Sequence, residues 1–82
     1  MCTIASVVII EDDQRIRELM ARVLADKGYE VEGAATALDG LQRIVQTSPD
    51  VVILDMGLPD LDGAELLKMI RAVTDVPVVV AT

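Results

Sequence analysis

Three continuous apolar blocks punctuate the chain, VVII at residues 7–10, VVIL at 51–54 and VVVA at 78–81. Short apolar runs without polar alternation mark strands buried on both faces, as in a parallel sheet covered by helices. Between the blocks the period changes. From Asp13 onward Ile16, Leu19, Met20, Val23 and Leu24 recur at three and four residues, which predicts a helix with one apolar face, capped by Asp13 and ended at Gly28. Residues 29–34, YEVEGA, interleave apolar and acidic positions and predict a strand nearer the sheet edge. Thr36 with Asp39 three residues later resembles a capping box, opening a second helix that turns Leu38, Leu41 and Val45 inward and stops before Pro49. Asp62 with Glu65 opens a third helix, whose Ala64, Leu67, Ile70 and Val73 can face a core. After Pro77 the last block gives a fourth strand.

Strands alternating with helices predict an α/β fold with right-handed crossovers, a parallel sheet and helices on both faces. In such three-layer α-β-α sheets the functional site lies outside the carboxyl ends of the strands, where the strand order reverses. The first block runs into Glu11 and Asp12, the third strand into Asp55. An aspartate at a strand end is often a turn residue and no more. Here two strand ends carry carboxylates, and neighbouring strands lie about 4.8 Å apart. Glu11, Asp12 and Asp55 would then converge, and like charges at that spacing repel unless one takes up a proton or a cation intervenes. Oxygen-only ligands at a compact site favour a hard divalent ion such as Mg2+, which uses one or two carboxylates and keeps room for phosphate oxygens. Asp55 could then attack phosphorus and become an acyl phosphate, chemistry that requires no histidine, and the chain has none.

Composition narrows the partners. Eighty-two residues, 52% of them hydrophobic, make one domain at most. A net charge of -7 repels phosphate backbones and anionic lipid, so no direct nucleic-acid contact and no membrane partner is expected. Cys2 stands alone and cannot form an internal disulfide, which fits a reducing cytoplasm. No apolar run is long enough to span a bilayer, and no signal peptide is read.

VVIIEDD, LDMGLPDLDG and the closing VVVAT together make the chain similar to the receiver domains of bacterial two-component response regulators, and its style resembles the transcription-regulator branch. The resemblance covers the whole chain and implies a flavodoxin-like sheet of order 2-1-3-4. It makes Asp55 the phosphoacceptor, Asp12 a direct and Glu11 a water-mediated ligand of Mg2+, Gly57 a carbonyl ligand, and Thr82 the switch hydroxyl. Pro59 and Gly63 match the turn and helix start that follow the site. It further implies a signalling domain rather than an enzyme, a sensor histidine kinase as phosphodonor and an output domain as partner. Against the family's pattern, residues 1–82 are expected to form a partial domain, lacking a final helix, strand and helix and the lysine that shares the site's charge; Arg15 would partly compensate. Strand four would then leave its outer edge open and invite self-association.

Other readings fit the residues less well. In DLDG a calcium loop would need a ligand where Leu58 stands and a final glutamate that is missing. GYEVEG has phosphate-loop glycine spacing without the following lysine. A haloacid-dehalogenase-like phosphatase would have a second aspartate where Gly57 stands. The remaining alternative is a structural fragment that keeps the metal-site geometry and needs another chain to complete its sheet.

Overall fold

The structure, a computed structural model, describes residues 4–55 and 57–81. Cys2, Met56 and Thr82 lie outside them. Seven elements follow one another as expected: β1 (Ser6–Ile10), α1 (Gln14–Asp26), β2 (Glu30–Ala34), α2 (Ala37–Thr47), β3 (Val51–Asp55), α3 (Gly63–Val73) and β4 (Val78–Ala81). The strands form one sheet in the order β2-β1-β3-β4, and every pairing is parallel. The chain therefore reverses its winding between β1 and β3, whose register pairs Ile10 with Leu54. The next residue on each strand is a carboxylate.

The helix limits follow from local chemistry. Asp13 accepts from the N–H groups of Arg15 and Ile16, at 2.9 and 3.2 Å, satisfying two donors that the first turn of α1 leaves free. Gly28 then takes φ +94° just past the end of that helix, a conformation glycine adopts without steric cost. Asp62 caps α3 through the N–H of Ala64 at 3.1 Å. Pro49 follows α2 by two residues, after Ser48 has closed that helix in the left-handed region.

Pleating divides the core into two layers. Val8, Ile10, Val52 and Leu54 point toward α2 and α3, where they pack with Ala37, Ile44, Leu58, Leu66, Ile70 and Val76. Val7 and Ile9 are also buried, whereas Ile53 is half-buried. Leu19, Met20, Val23 and Leu24 of α1 border an open apolar depression of about 330 Å³ floored by Ile53. Leu19 and Val23 remain exposed there, as does Ile16 elsewhere on the helix, so the apolar face of α1 covers less of the sheet than its periodicity predicts.

Two helix faces differ from expectation. On α2 the buried residues are Ala37, Gly40 and Ile44, while Leu38 and Val45 are 62% and 61% exposed and only Leu41 is partly covered. The reason is proximity: Gly40 lies so close to Ile10 that small residues must line the contact. On α3 the buried residues are Gly63, Leu66 and Ile70, with Leu67 half-buried and Ala64 and Val73 exposed.

Candidate functional site

The β1 and β3 ends bring Glu11, Asp12 and Asp55 together. One carboxylate oxygen from each lies within 4.8 Å of the others. Asp13 does not join them, because its side chain is committed to capping α1. The three carboxylates border an open depression of about 480 Å³, completed by Asp13, Ile16, Met20 and Ala81. Ala81 comes from β4, where it pairs with Asp55.

Hydrogen bonds fix the backbone of Glu11 and the carboxylate of Asp55. The Glu11 N–H donates to the carbonyl of Ala34 on β2 at 3.0 Å. The Glu11 carbonyl accepts from Nη1 of Arg17 at 2.7 Å, and the Arg17 stem lies across Gly33, where a Cβ would stand 3.0 Å from it. Asp55 Oδ1 accepts from the Gly57 N–H at 3.2 Å, a short turn typical of aspartate.

The electrostatics are those of an uncompensated acidic group. Glu11 is pushed up from 4.5 to about 7, first by burial and then by hydrogen bonding to Asp55 and Asp12 and by the charge of Asp55. Asp55 is held below the usual carboxylate range, chiefly because Glu11 donates to it, with the Gly57 N–H adding to the effect against its own burial. The cluster thus keeps a proton near neutrality that isolated carboxylates would release. Among the described residues the ion pairs within 4.0 Å are Arg43 with Glu32 and Asp39, and Lys68 with Glu65. Arg15 makes none with the cluster, so the compensation expected of it is not seen.

Residues 7–82 match the response regulator receiver domain family. The chain belongs to that family. Among its curated relatives, this receiver is 41% identical over 75 residues to the KDP operon transcriptional regulatory protein KdpE of Escherichia coli, covering 92% of this chain and 33% of that protein. It is 36% identical over 77 residues to the response regulator MprA of Mycobacterium sp. (strain KMS), covering 93% and 34%. The receiver thus spans about a third of the length of these relatives, the first of which is named as a transcriptional regulatory protein. Among solved structures, the chemotaxis response regulator CheY4 of Vibrio cholerae superposes with a TM-score of 0.91 at 32% identity, covering 95% of this chain and 68% of that one. A CheY-like receiver domain protein of Methanospirillum hungatei superposes at 0.89 with 33% identity, covering 95% and 63%. Receivers are signalling domains, and among the described residues no helix is long and apolar enough to cross a membrane.

Two residues near the site escaped the sequence reading. Arg17 carries no sequence signal that points to the Glu11 carbonyl. Asp60, which follows Pro59 in the segment after β3, accepts from the Ala37 and Leu38 N–H groups of α2 at 2.8 and 3.1 Å. No local pattern announces a bond across 23 residues.

Proposed function

We propose that this receiver is a phosphoacceptor, in which Asp55 takes a phosphoryl group from a sensor histidine kinase with Mg2+ held by Glu11, Asp12, Asp55 and the Gly57 carbonyl. The observation that carries the proposal is the convergence of three carboxylate oxygens within 4.8 Å with Glu11 forced up to about 7. Such a set is short of positive charge, and its all-oxygen chemistry suits a hard divalent ion. Bound magnesium would supply charge to the phosphoryl oxygens as the bond to Asp55 forms. An Asp55 carboxylate oxygen attacks phosphorus, the phosphorus–nitrogen bond of a phosphohistidine breaks, and the imidazole leaves with the electron pair and regains its proton from solvent. The product is an aspartyl phosphate that the receiver itself can later lose to water.

In this reading Thr82, outside the described residues, is the switch hydroxyl, residues 1–82 act as a receiver unit, and the output is transcriptional control. The family's cytoplasmic setting fits a kinase donor of that kind. The structural-fragment alternative predicts the same fold without phosphorylation.

Calorimetry with Mg2+ tests the site. Asp12→Ala is expected to weaken binding by roughly tenfold or more, as loss of a ligand does. Because Glu11 must shed its proton to serve a cation, affinity should be roughly tenfold weaker near pH 6 than near pH 8. Stability of the metal-free chain runs the opposite way with pH. A carboxyl whose folded-state pKa is raised stabilises most below its unfolded value of 4.5, and that contribution is lost as pH rises through about 7. Asp55, held low, contributes in the opposite sense, losing its contribution as pH falls through its depressed value. Equal affinity in Asp12→Ala and the parent would remove the metal from the reading.

The outer edge of β4 is proposed to mediate self-association of the 82-residue chain. Its Val79 and Val80 are 55% and 44% exposed, whereas β2, at the opposite edge, carries Glu30 and Glu32. A charged edge resists pairing and an apolar one invites it. Light scattering is expected to show concentration-dependent assembly that Val79→Lys reduces, and a parent chain that stays monomeric would refute it.

A further inference from the structure

Residues 57–62 leave the end of β3 and reach α3, and they are pinned to a different helix on the way. Leu58 is buried in the core among residues of β1, α2 and α3. Two residues later, Asp60 uses both carboxylate oxygens on consecutive N–H groups of α2, Oδ1 on Ala37 and Oδ2 on Leu38. The third free donor of that helix, the Asp39 N–H, is met by Thr36 Oγ1 at 3.2 Å. The first turn of α2 is therefore capped by two residues, one local and one from the segment beside Asp55. A helix satisfied wholly by its own cap would leave that segment free.

These bonds close a ring around the acidic site. From Asp55 the chain passes through Gly57, whose N–H donates back to Asp55 Oδ1, to Asp60 and across to α2. Just ahead of α2 lies Ala34, whose carbonyl accepts the Glu11 N–H, and Glu11 returns to Asp55. Residues on both sides of the candidate phosphorylation site are thus linked through covalent chain, hydrogen bonds and the close approach of Glu11 to Asp55, and Asp60 supplies the link between segments.

We infer that Asp60 is a positioning residue for phosphoryl transfer, which clamps residues 57–62 onto the first turn of α2 and so holds Gly57 against Asp55. Asp60 is not among the residues of the acidic cluster or of the depression they border. The inference rests on the phosphoacceptor reading above, and its content is that the geometry of the site is set from α2. Two oxygens on two adjacent donors fix orientation as well as distance, and reacting groups lose rate steeply when their geometry loosens.

The test measures phosphorylation of the 82-residue chain by acetyl phosphate with saturating Mg2+, in the cold, where circular dichroism shows each variant to be folded. Asp60→Ala is expected to slow incorporation at Asp55 by roughly tenfold, and Asp60→Asn, which keeps one acceptor for two donors, to slow it by an intermediate factor of about three. Thr36→Ala provides the control, since it removes a cap from the same helix turn without touching residues 57–62. It should lower Tm comparably yet leave the rate within about twofold of the parent. A parent-like rate in Asp60→Ala, or equal slowing in Thr36→Ala, would overturn the inference. Should Asp60→Ala not fold, Asp60→Asn decides: a reduced rate at parental Tm supports the clamp, and a parental rate refutes it. Failure of the underlying reading looks different, because the parent itself would then carry no adduct at Asp55.

Discussion

Asp55→Asn is expected to abolish phosphoryl incorporation from acetyl phosphate while leaving the chain folded. The substitution keeps the shape of the side chain, and the asparagine oxygen can still accept the Gly57 N–H that now meets Asp55 at 3.2 Å. What disappears is the nucleophile, since a neutral carboxamide does not attack phosphorus at a useful rate. Intact-mass and peptide-level mass spectrometry would locate the adduct on the parent and show none on the variant. The parent is itself expected to react slowly, because no cation of the described residues pairs with the cluster to share the phosphoryl charge. An adduct of equal yield on both chains would exclude Asp55 as the acceptor.

The same substitution carries a second, opposite expectation for stability. Asp55 contributes to the rise of Glu11 both by hydrogen bonding and by its charge, after burial. Removing that charge relieves repulsion in the metal-free cluster, so Asp55→Asn should be at least as stable as the parent above neutral pH. A residue kept where it repels its neighbours is placed for reaction rather than for folding.

Much of this architecture was legible because its signals are local. The blocks at 7–10, 51–54 and 78–81 became β1, β3 and β4, and Asp13, Thr36 and Asp62 became the caps of the three helices. Glu11, Asp12 and Asp55 could be brought together from sequence because parallel pairing fixes where strand ends fall. The errors lie where packing overrides hydrophobicity. Leu38 and Val45 are apolar yet exposed, and the buried face of α2 is the one with Ala37, Gly40 and Ile44, since the close approach to Ile10 selects small residues where the helix begins. The bonds of Asp60 to α2 depend on a tertiary neighbour that no spacing rule reaches.

That close contact is also where a single substitution should do most damage to the fold. Gly40 stands in the interior of α2, a position where alanine is ordinarily better by about 1 kcal/mol. A Cβ built there would meet Ile10 Cδ1 at 2.5 Å, Cγ1 at 2.6 Å and Cγ2 at 3.2 Å. Ile10 cannot swing aside, because it is 0% exposed and packed among Val8, Leu54 and the α2 and α3 side chains of the core. Either the helix must lift from the sheet or β1 must shift, and overpacking of this kind costs about 1–3 kcal/mol for small additions. Gly40→Ala is therefore expected to lower stability in spite of its helix propensity. Gly40→Val, with two further methyl groups at the same contact, should leave little native chain, since a domain of this size has only about 4–12 kcal/mol to lose. Denaturant unfolding of both variants checks the order. Ile10→Val should rescue part of the Gly40→Ala loss, because it removes the atom nearest the new methyl. Ile10 immediately precedes Glu11, so a shift of β1 would also displace a carboxylate of the acidic site. Gly40→Ala should then weaken Mg2+ binding even under conditions where it remains folded, whereas a stability above the parent's would show that propensity outweighs this contact.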